Sequence, residues 1–331
     1  MYHNNELPIP ENILDANSGN FEQIALSVFR YQHTNNTIYR NYCDALHIDS
    51  NSVKKLQQIP FLPISFFRTH NVIVNLPHQA ELVFESSGTT AETTSRHYVL
   101  DAEIYRQSLL QGFEQFYSSP DQYAILALLP SYLERKNASL VYMAKTLMEV
   151  GKNPDNGFYI NEYEALAGIL AKLKEANQKV LLLGVTFALL DFATAYPTHP
   201  GDIIVMETGG MKGRRQELTR TEVHDILKQH WGLSHIHSEY GMTELLSQAY
   251  SKGEGIFGCT STMKVMIRDV YDPLDVSIAG KGCLNIVDLA NIYSCSFIAT
   301  DDIGVVNADG TFEVQGRLDN STLRGCNLMV L

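Results

Sequence analysis

The stretch FESSGTTAETTSRHYV, residues 84–99, gathers serines and threonines around Gly88 behind an apolar run and ends on Arg96 and His97. Gly88 lets the backbone approach an anion closely. The hydroxyls of Ser86, Ser87, Thr89, Thr90, Thr93 and Thr94 can donate hydrogen bonds, and Arg96 adds a fixed positive charge. Such a loop can wrap a polyphosphate. The same residues are ordinary turn chemistry, so a solvated hairpin loop is the competing reading.

Outward from this loop, residues 21–47 and 102–117 read as helices, the second behind Asp101 as a cap. Strand-like runs recur at 81–85, 123–129, 179–183 and 202–207, and helical patterns fill 163–177 and 221–231. Strands alternating with helices predict an α/β fold built on a doubly wound, mostly parallel sheet. Ligands of such sheets bind at the carboxyl ends of the strands, so the loops after Glu85, Leu129, Leu183 and Glu207 are expected at one edge. Beyond Tyr250 the pattern turns to short β-rich runs at 262–270, 282–288, 294–300 and 311–316, which read as a small antiparallel subdomain. The expected division is an α/β core over 1–250, a β-rich subdomain of that core over 251–315, and a hinge-like motif with a short tail over 316–331.

Composition narrows the classes. The 331 residues are 45% hydrophobic and 19% charged, with a formal net charge of -12. This fits a globular protein and argues against general nucleic-acid binding, which needs clustered cations. The compact basic patch, Lys212, Arg214 and Arg215, reads as a solvated loop. The N-terminus lacks a secretory pattern and the apolar run 180–190 is too short to span a bilayer, so a cytoplasmic protein without a membrane span is expected. The sequons at Asn35, Asn137 and Asn320 are then silent. Five scattered cysteines, Cys43, Cys259, Cys283, Cys295 and Cys326, indicate neither a disulfide framework nor a zinc site. Gly253, Gly255 and Gly258 match GxGxxG but precede a β-rich run instead of opening a helix, so they read as a loop.

Three further motifs follow in order: HSEYGMTE at 237–244, TDDIG at 300–304 and GRLDNSTLRGC at 316–326. The ordered set resembles the adenylate-forming superfamily. With FLPISFF at 61–67, LLLGVTF at 181–187 and LRGCNL at 323–328, it looks closest to the acyl-protein synthetase (LuxE-like) branch, related to phenylacetate-CoA ligase. The resemblance implies ATP and magnesium as cofactors and a carboxylic, fatty acid as substrate. It also implies that Glu244 is the magnesium ligand, Thr243 touches the α-phosphate, Gly241 belongs to the ATP site, and Tyr240 stacks on adenine beside Glu207, Thr208, Gly209 and Gly210. Asp302 and Arg317 would hold the ribose, with Asp319 at a hinge. The plainer readings are a first-turn helix residue for Glu244, a half-buried aromatic for Tyr240 and a turn residue for Asp302.

The phosphate loop departs from the family pattern at Ala91 and places Arg96 near the usual lysine. Family ligases continue past GRxD into a mobile domain that supplies a catalytic lysine, whereas this sequence ends at Leu331. That domain is expected to be absent, leaving Arg96, magnesium, and His97 or Lys264 to neutralise charge. The resemblance implies that Cys326, behind Arg324 and Gly325, takes the acyl group from the adenylate and passes it to a reductase or carrier partner. Its plainer reading is a free, inert thiol. Gly184, Val185, Thr186 and Tyr132 follow buried strands and are the expected acyl pocket. Two alternatives stand beside this reading: a ligase delivering the acyl group to coenzyme A or a carrier thiol, and a non-catalytic nucleotide-binding subunit.

Overall fold

A computed structural model of the chain describes residues 13–75, 79–86, 94–130, 137–209 and 218–318. Two helices, α1 (Phe21–Asn35) and α2 (Thr37–Ala45), lead into a two-residue strand β1 (Leu62–Pro63) and a helical turn α3 (Phe66–Thr69). A hairpin of β2 (Leu82–Glu85) and β3 (Arg96–Val99) follows, then α4 (Ala102–Tyr117). The α/β region runs β4 (Ala124–Leu128), α5 (Ser139–Gly151), β5 (Gly157–Tyr159), α6 (Tyr163–Glu175), β6 (Val180–Gly184), α7 (Thr186–Ala195), β7 (Ile203–Glu207), α8 (Arg220–Trp231) and β8 (His237–Tyr240). The remainder is β9 (Ala249–Ser251), β10 (Gly258–Cys259), β11 (Met263–Arg268), β12 (Val276–Ser277), β13 (Gly280–Asp288), β14 (Phe297–Val306) and β15 (Phe312–Arg317).

Seven strands form one sheet in the order β10-β9-β8-β7-β6-β4-β5, parallel from β8 to β5 and antiparallel at β9 and β10. Every residue of β4 (AILAL) and β6 (VLLLG) is buried, as an uninterrupted apolar run requires when helices cover both faces of a parallel sheet. Alternation along β8 separates those faces. His237 meets Tyr117 of α4 at 3.2 Å, whereas Ser238 turns toward His224 of α8 on the other side.

The second sheet has the order β1-β14-β13-β11-β12, with β15 on β14. It is antiparallel except for β1, which pairs in parallel with Ile298 and Ala299. Helices from the start of the chain pack here: Tyr39 stacks on Phe297 at 6.0 Å, with Phe29 edge-on to both. Buried Gln32 donates from Nε2 to the carbonyls of Asn291 and Ile292, and its Oε1 accepts from the Ser296 amide at 3.0 Å.

Two sequence expectations change here. The helix expected over 21–47 breaks at Asn36, whose extended backbone (φ -105°, ψ 106°) lets its side chain cap α2 by accepting from the Tyr39 amide. The strand expected at 81–85 stands outside the parallel sheet, since β2 pairs with β3 in a separate hairpin. The GxGxxG segment joins antiparallel β9 to β10 and opens no helix, in line with its reading as a loop. Among the described residues no helix is long and apolar enough to cross a membrane.

Candidate active site

The carboxyl ends of β7 and β8, the hairpin, the start of α5, and residues from β14 and β15 enclose a cavity of about 420 Å³. Glu244 lies in its wall, on the loop after β8. No helix starts there, so the first-turn reading of Glu244 does not apply. The loop is fixed from three directions. His97 on β3 bonds the Thr243 carbonyl at 2.9 Å, and Asn291 donates to the Glu244 carbonyl at 2.7 Å. Buried Asp288 accepts from the amides of Leu246 and Ser247 at 2.7 and 3.0 Å. Burial pulls the His97 imidazole down to about 4, so it stays neutral near pH 7 and braces Thr243; it is not one of the charge-neutralising groups.

The Glu244 carboxyl is buried and accepts a short hydrogen bond from the Ser95 hydroxyl. Burial raises its pKa, and the Ser95 bond and the charges of Arg317 and Arg68 oppose that rise only in part. Ser95 also closes the hairpin: its amide donates to Ser86 Oγ at 2.9 Å, and the Ser86 amide donates to its carbonyl at 3.0 Å. Thus the base of the hydroxyl-rich loop touches the acidic end of YGMTE. Arg96 is exposed and does not line the cavity itself; it pairs at 3.2 Å with Glu85, which does. Lys264 sits 5.7 Å from the Phe21 ring, also outside that lining. Among the described residues, the cations that line the cavity are Arg317 and Arg68, the latter carried on α3 by the pairing of β1 with β14.

Asp302 and Arg317 belong to adjacent strands and are register partners. Their side chains pair at 3.3 Å. Tyr240 donates from its hydroxyl to the other Asp302 oxygen at 2.7 Å, and its ring lies edge-on to Phe257 and Phe312 behind the cavity wall. Burial raises the Asp302 pKa, with Arg317 and Tyr240 counteracting. Asp302 stands inside β14, next to a register shift at Gly304, and not in a turn.

Glu207, at the end of β7, is saturated by the protein. It accepts from Thr186 Oγ1 at 3.0 Å, the Gly209 amide at 2.8 Å, Arg220 Nε at 3.1 Å and Ser238 Oγ at 3.0 Å. Burial alone would raise its pKa, but His224, Arg220 and the Gly209 amide outweigh burial and hold it at about 2. Its place is therefore to hold the turn that presents Thr208 and Gly209, both of which line the cavity. Gly209 has φ +60°, a conformation that favours glycine. The Thr208 hydroxyl is buried without a hydrogen-bond partner among the described residues.

Of the expected acyl-pocket residues that are described, Thr186 is engaged by Glu207, Val185 is buried, and Gly184 leaves no room for a Cβ against Leu189; none of these three lines the cavity. Its apolar wall comes from Tyr105 of α4 and from Ala138, Leu140 and Met143 at the start of α5. The lining also includes Glu239 and Gln248, which sequence reasoning did not single out. Ser87, Gly88, Thr89, Thr90, Thr93, Tyr132, Gly210, Asp319 and Cys326 lie outside the described residues.

The family model for acyl-protein synthetase, LuxE, matches residues 11–331. The chain belongs to the LuxE acyl-protein synthetase family. It is similar to the long-chain-fatty-acid–luciferin-component ligase of Vibrio harveyi, 22% identical over 92% of this chain and 86% of the relative. The ligase of the same description from Aliivibrio fischeri is 22% identical over 93% and 86%. Among solved structures, a 2-hydroxyisobutyryl-CoA ligase in its postadenylation state, in complex with 2-HIB-AMP, superposes with a TM-score of 0.69 at 11% identity, covering 97% of this chain and 74% of that one. The shared fold is the N-terminal core of adenylate-forming enzymes. Membership of the LuxE family makes the chain an AMP-forming ligase.

Proposed function

We propose that the chain activates a carboxylic acid of the fatty class with ATP in this cavity and transfers the acyl group through a thiol of its own. The observation that carries the reading is convergence: Ser86 and Ser95, Thr243 and Glu244, Asp302, and Arg317, from four separated stretches, border one cavity. The unpartnered Thr208 hydroxyl and the cations Arg68 and Arg317 suit a nucleotide there.

In the first step the acid's carboxylate oxygen attacks the α-phosphorus of ATP, forming a mixed anhydride and expelling pyrophosphate. Arg68 and Arg317 draw the two anions together, Thr243 and the hairpin hydroxyls donate to phosphate oxygens, and Asp302 accepts from the ribose. Magnesium fits beside Glu244, since burial leaves that carboxyl short of compensating charge and magnesium takes one or two carboxylates with phosphate oxygens and water; bound there, it would neutralise the triphosphate. Among the described residues no group of three or more His, Cys, Asp or Glu could hold a metal alone.

In the second step a thiolate attacks the acyl carbon, forming a thioester and releasing AMP. Burial pushes the Cys43 and Cys259 thiols up to about 12 and raises Cys283 and Cys295 too, so these four are kept as unreactive thiols. Cys326, beside Arg324 in the tail, is the acyl carrier in this reading, and a reductase or carrier protein is the acceptor that follows. The test is intact-mass analysis after incubation with ATP, magnesium and a fatty acid. A hydroxylamine-labile acyl adduct should appear on the wild type and vanish in Cys326→Ser, while acid-dependent ATP–pyrophosphate exchange persists in the variant. An adduct of unchanged yield on Cys326→Ser would move the nucleophile elsewhere.

A further inference from the structure

The cavity has two chemically distinct sides. Ser238 and Tyr240 of β8 face Glu207 and Asp302, the side assigned above to the nucleotide. Glu239 alternates away from them, on the same side of β8 as His237, toward α4. There the cavity wall is Tyr105, Leu140 and Met143, an apolar surface suited to an acyl chain. Two polar side chains interrupt it. Glu239 lines the cavity with no hydrogen bond or ion pair to any described residue. Gln248 is 3% exposed, lines the same cavity, and its Oε1 is buried without a partner among the described residues. The two flank Gly241: a Cβ on that glycine would collide with Glu239 Oε1 and would lie 3.9 Å from Gln248 Cγ. Gly241 thus leaves room for the carboxyl to lie against the backbone.

A half-buried carboxyl and a buried carboxamide oxygen without partners among the described residues are costly in a pocket meant for hydrocarbon alone. We propose that Glu239 and Gln248 form a polar subsite that takes a hydroxyl group carried by the acid being activated. This rests on the adenylation reading and names its substrate class: a hydroxylated aliphatic acid. Burial, followed by the neighbouring charge of Glu207, pushes the Glu239 carboxyl up to about 8, so near pH 7 it holds its proton. A substrate hydroxyl can then accept from the Glu239 O–H and donate to Gln248 Oε1, leaving neither unpaired. A second carboxylate on the acid would be repelled once Glu239 ionises, and an alkyl chain would leave both groups bare.

The experiment is acid-dependent ATP–pyrophosphate exchange with dodecanoic acid and a set of its monohydroxylated positional isomers, on the wild type, Glu239→Leu and Gln248→Met. The readout is the ratio of kcat/KM between each hydroxy acid and the plain acid, which cancels any loss of folded protein. The wild type should prefer at least one isomer by about tenfold or more, the size expected when a buried polar pair is otherwise left unsatisfied. Both substitutions should collapse that ratio toward one. Exchange with no preference for any isomer, or a preference that survives both substitutions, overturns the subsite. So does a Glu239→Leu effect confined to the KM for ATP, which would give the carboxyl to the nucleotide. No exchange with any acid overturns the adenylation reading itself, and the subsite with it.

Discussion

Glu207 and Glu239 stand near the carboxyl ends of adjacent strands, and their surroundings drive them in opposite directions. Glu207 collects four hydrogen bonds and a nearby imidazole, and its pKa falls to about 2 despite burial. Glu239 has no such partners among the described residues, and burial carries it to about 8. Identical side chains on neighbouring strands thus become a structural anion and a neutral group facing a cavity. The comparison teaches that at this sheet edge the fully satisfied carboxyl holds a loop, whereas Glu239, without such partners among the described residues, and Glu244, held by the Ser95 hydroxyl, line the cavity.

The largest effect expected is on the structural side. Glu207→Ala strands Arg220, Ser238 and the Gly209 amide, and breaking a buried ion pair costs about 3–5 kcal/mol. Thermal unfolding should show a fall in Tm on the order of 10 °C; a loss within 2 °C would put Glu207 on the ligand side of the comparison. Next comes Asp302→Ala, which removes a charge-assisted acceptor worth about 2 kcal/mol, or roughly thirtyfold in ATP affinity. Calorimetric titration with ATP checks it, and an unchanged ATP affinity with weakened acid binding would move Asp302 to the acyl side.

Within any single pH unit, the smallest effect is in pH dependence. The unfolded chain releases the Glu239 proton near pH 4.3 and the folded chain holds it to about 8, so across that window this residue makes stability fall as pH rises, by up to about 1.4 kcal/mol per unit. Glu207 has the opposite sign: its contribution is full above about pH 4.3 and is lost as pH falls toward 2. Urea unfolding of Glu239→Gln between pH 5 and 8 should therefore run flatter than the wild type. Parallel pH profiles would show that Glu239 is already ionised in the folded chain.

Much of the frame was legible because it depends on local pattern. The uninterrupted apolar runs of β4 and β6 announced a sheet covered on both faces, and Asp101 does cap α4, accepting from the amides of Glu103 and Ile104. The second sheet was legible only in part. A strand of two residues, Leu62–Pro63, has no periodicity to read, and it exists because β14 offers it a partner far along the chain. Arg68 was missed for that reason, since its neighbours FLPISFF were noticed but nothing local says where α3 points. Arg96 carried the right charge in the right stretch yet pairs with Glu85, its register partner in the hairpin. Glu239 was invisible because the sequence does not state which of two neighbouring carboxyls finds donors.

The central claim is that the Glu244 end of the cavity performs adenylation, and it is tested by acid-dependent ATP–pyrophosphate exchange on Glu244→Ala, with Glu207→Gln as the comparison and rates expressed per folded molecule. Glu244 lies on a cavity loop and Glu207 in the sheet framework. The account predicts that Glu244→Ala unfolds like the wild type but loses exchange by at least about a hundredfold, while Glu207→Gln loses stability and keeps most of its exchange. Near wild-type exchange by folded Glu244→Ala, with an unshifted magnesium requirement, would contradict it.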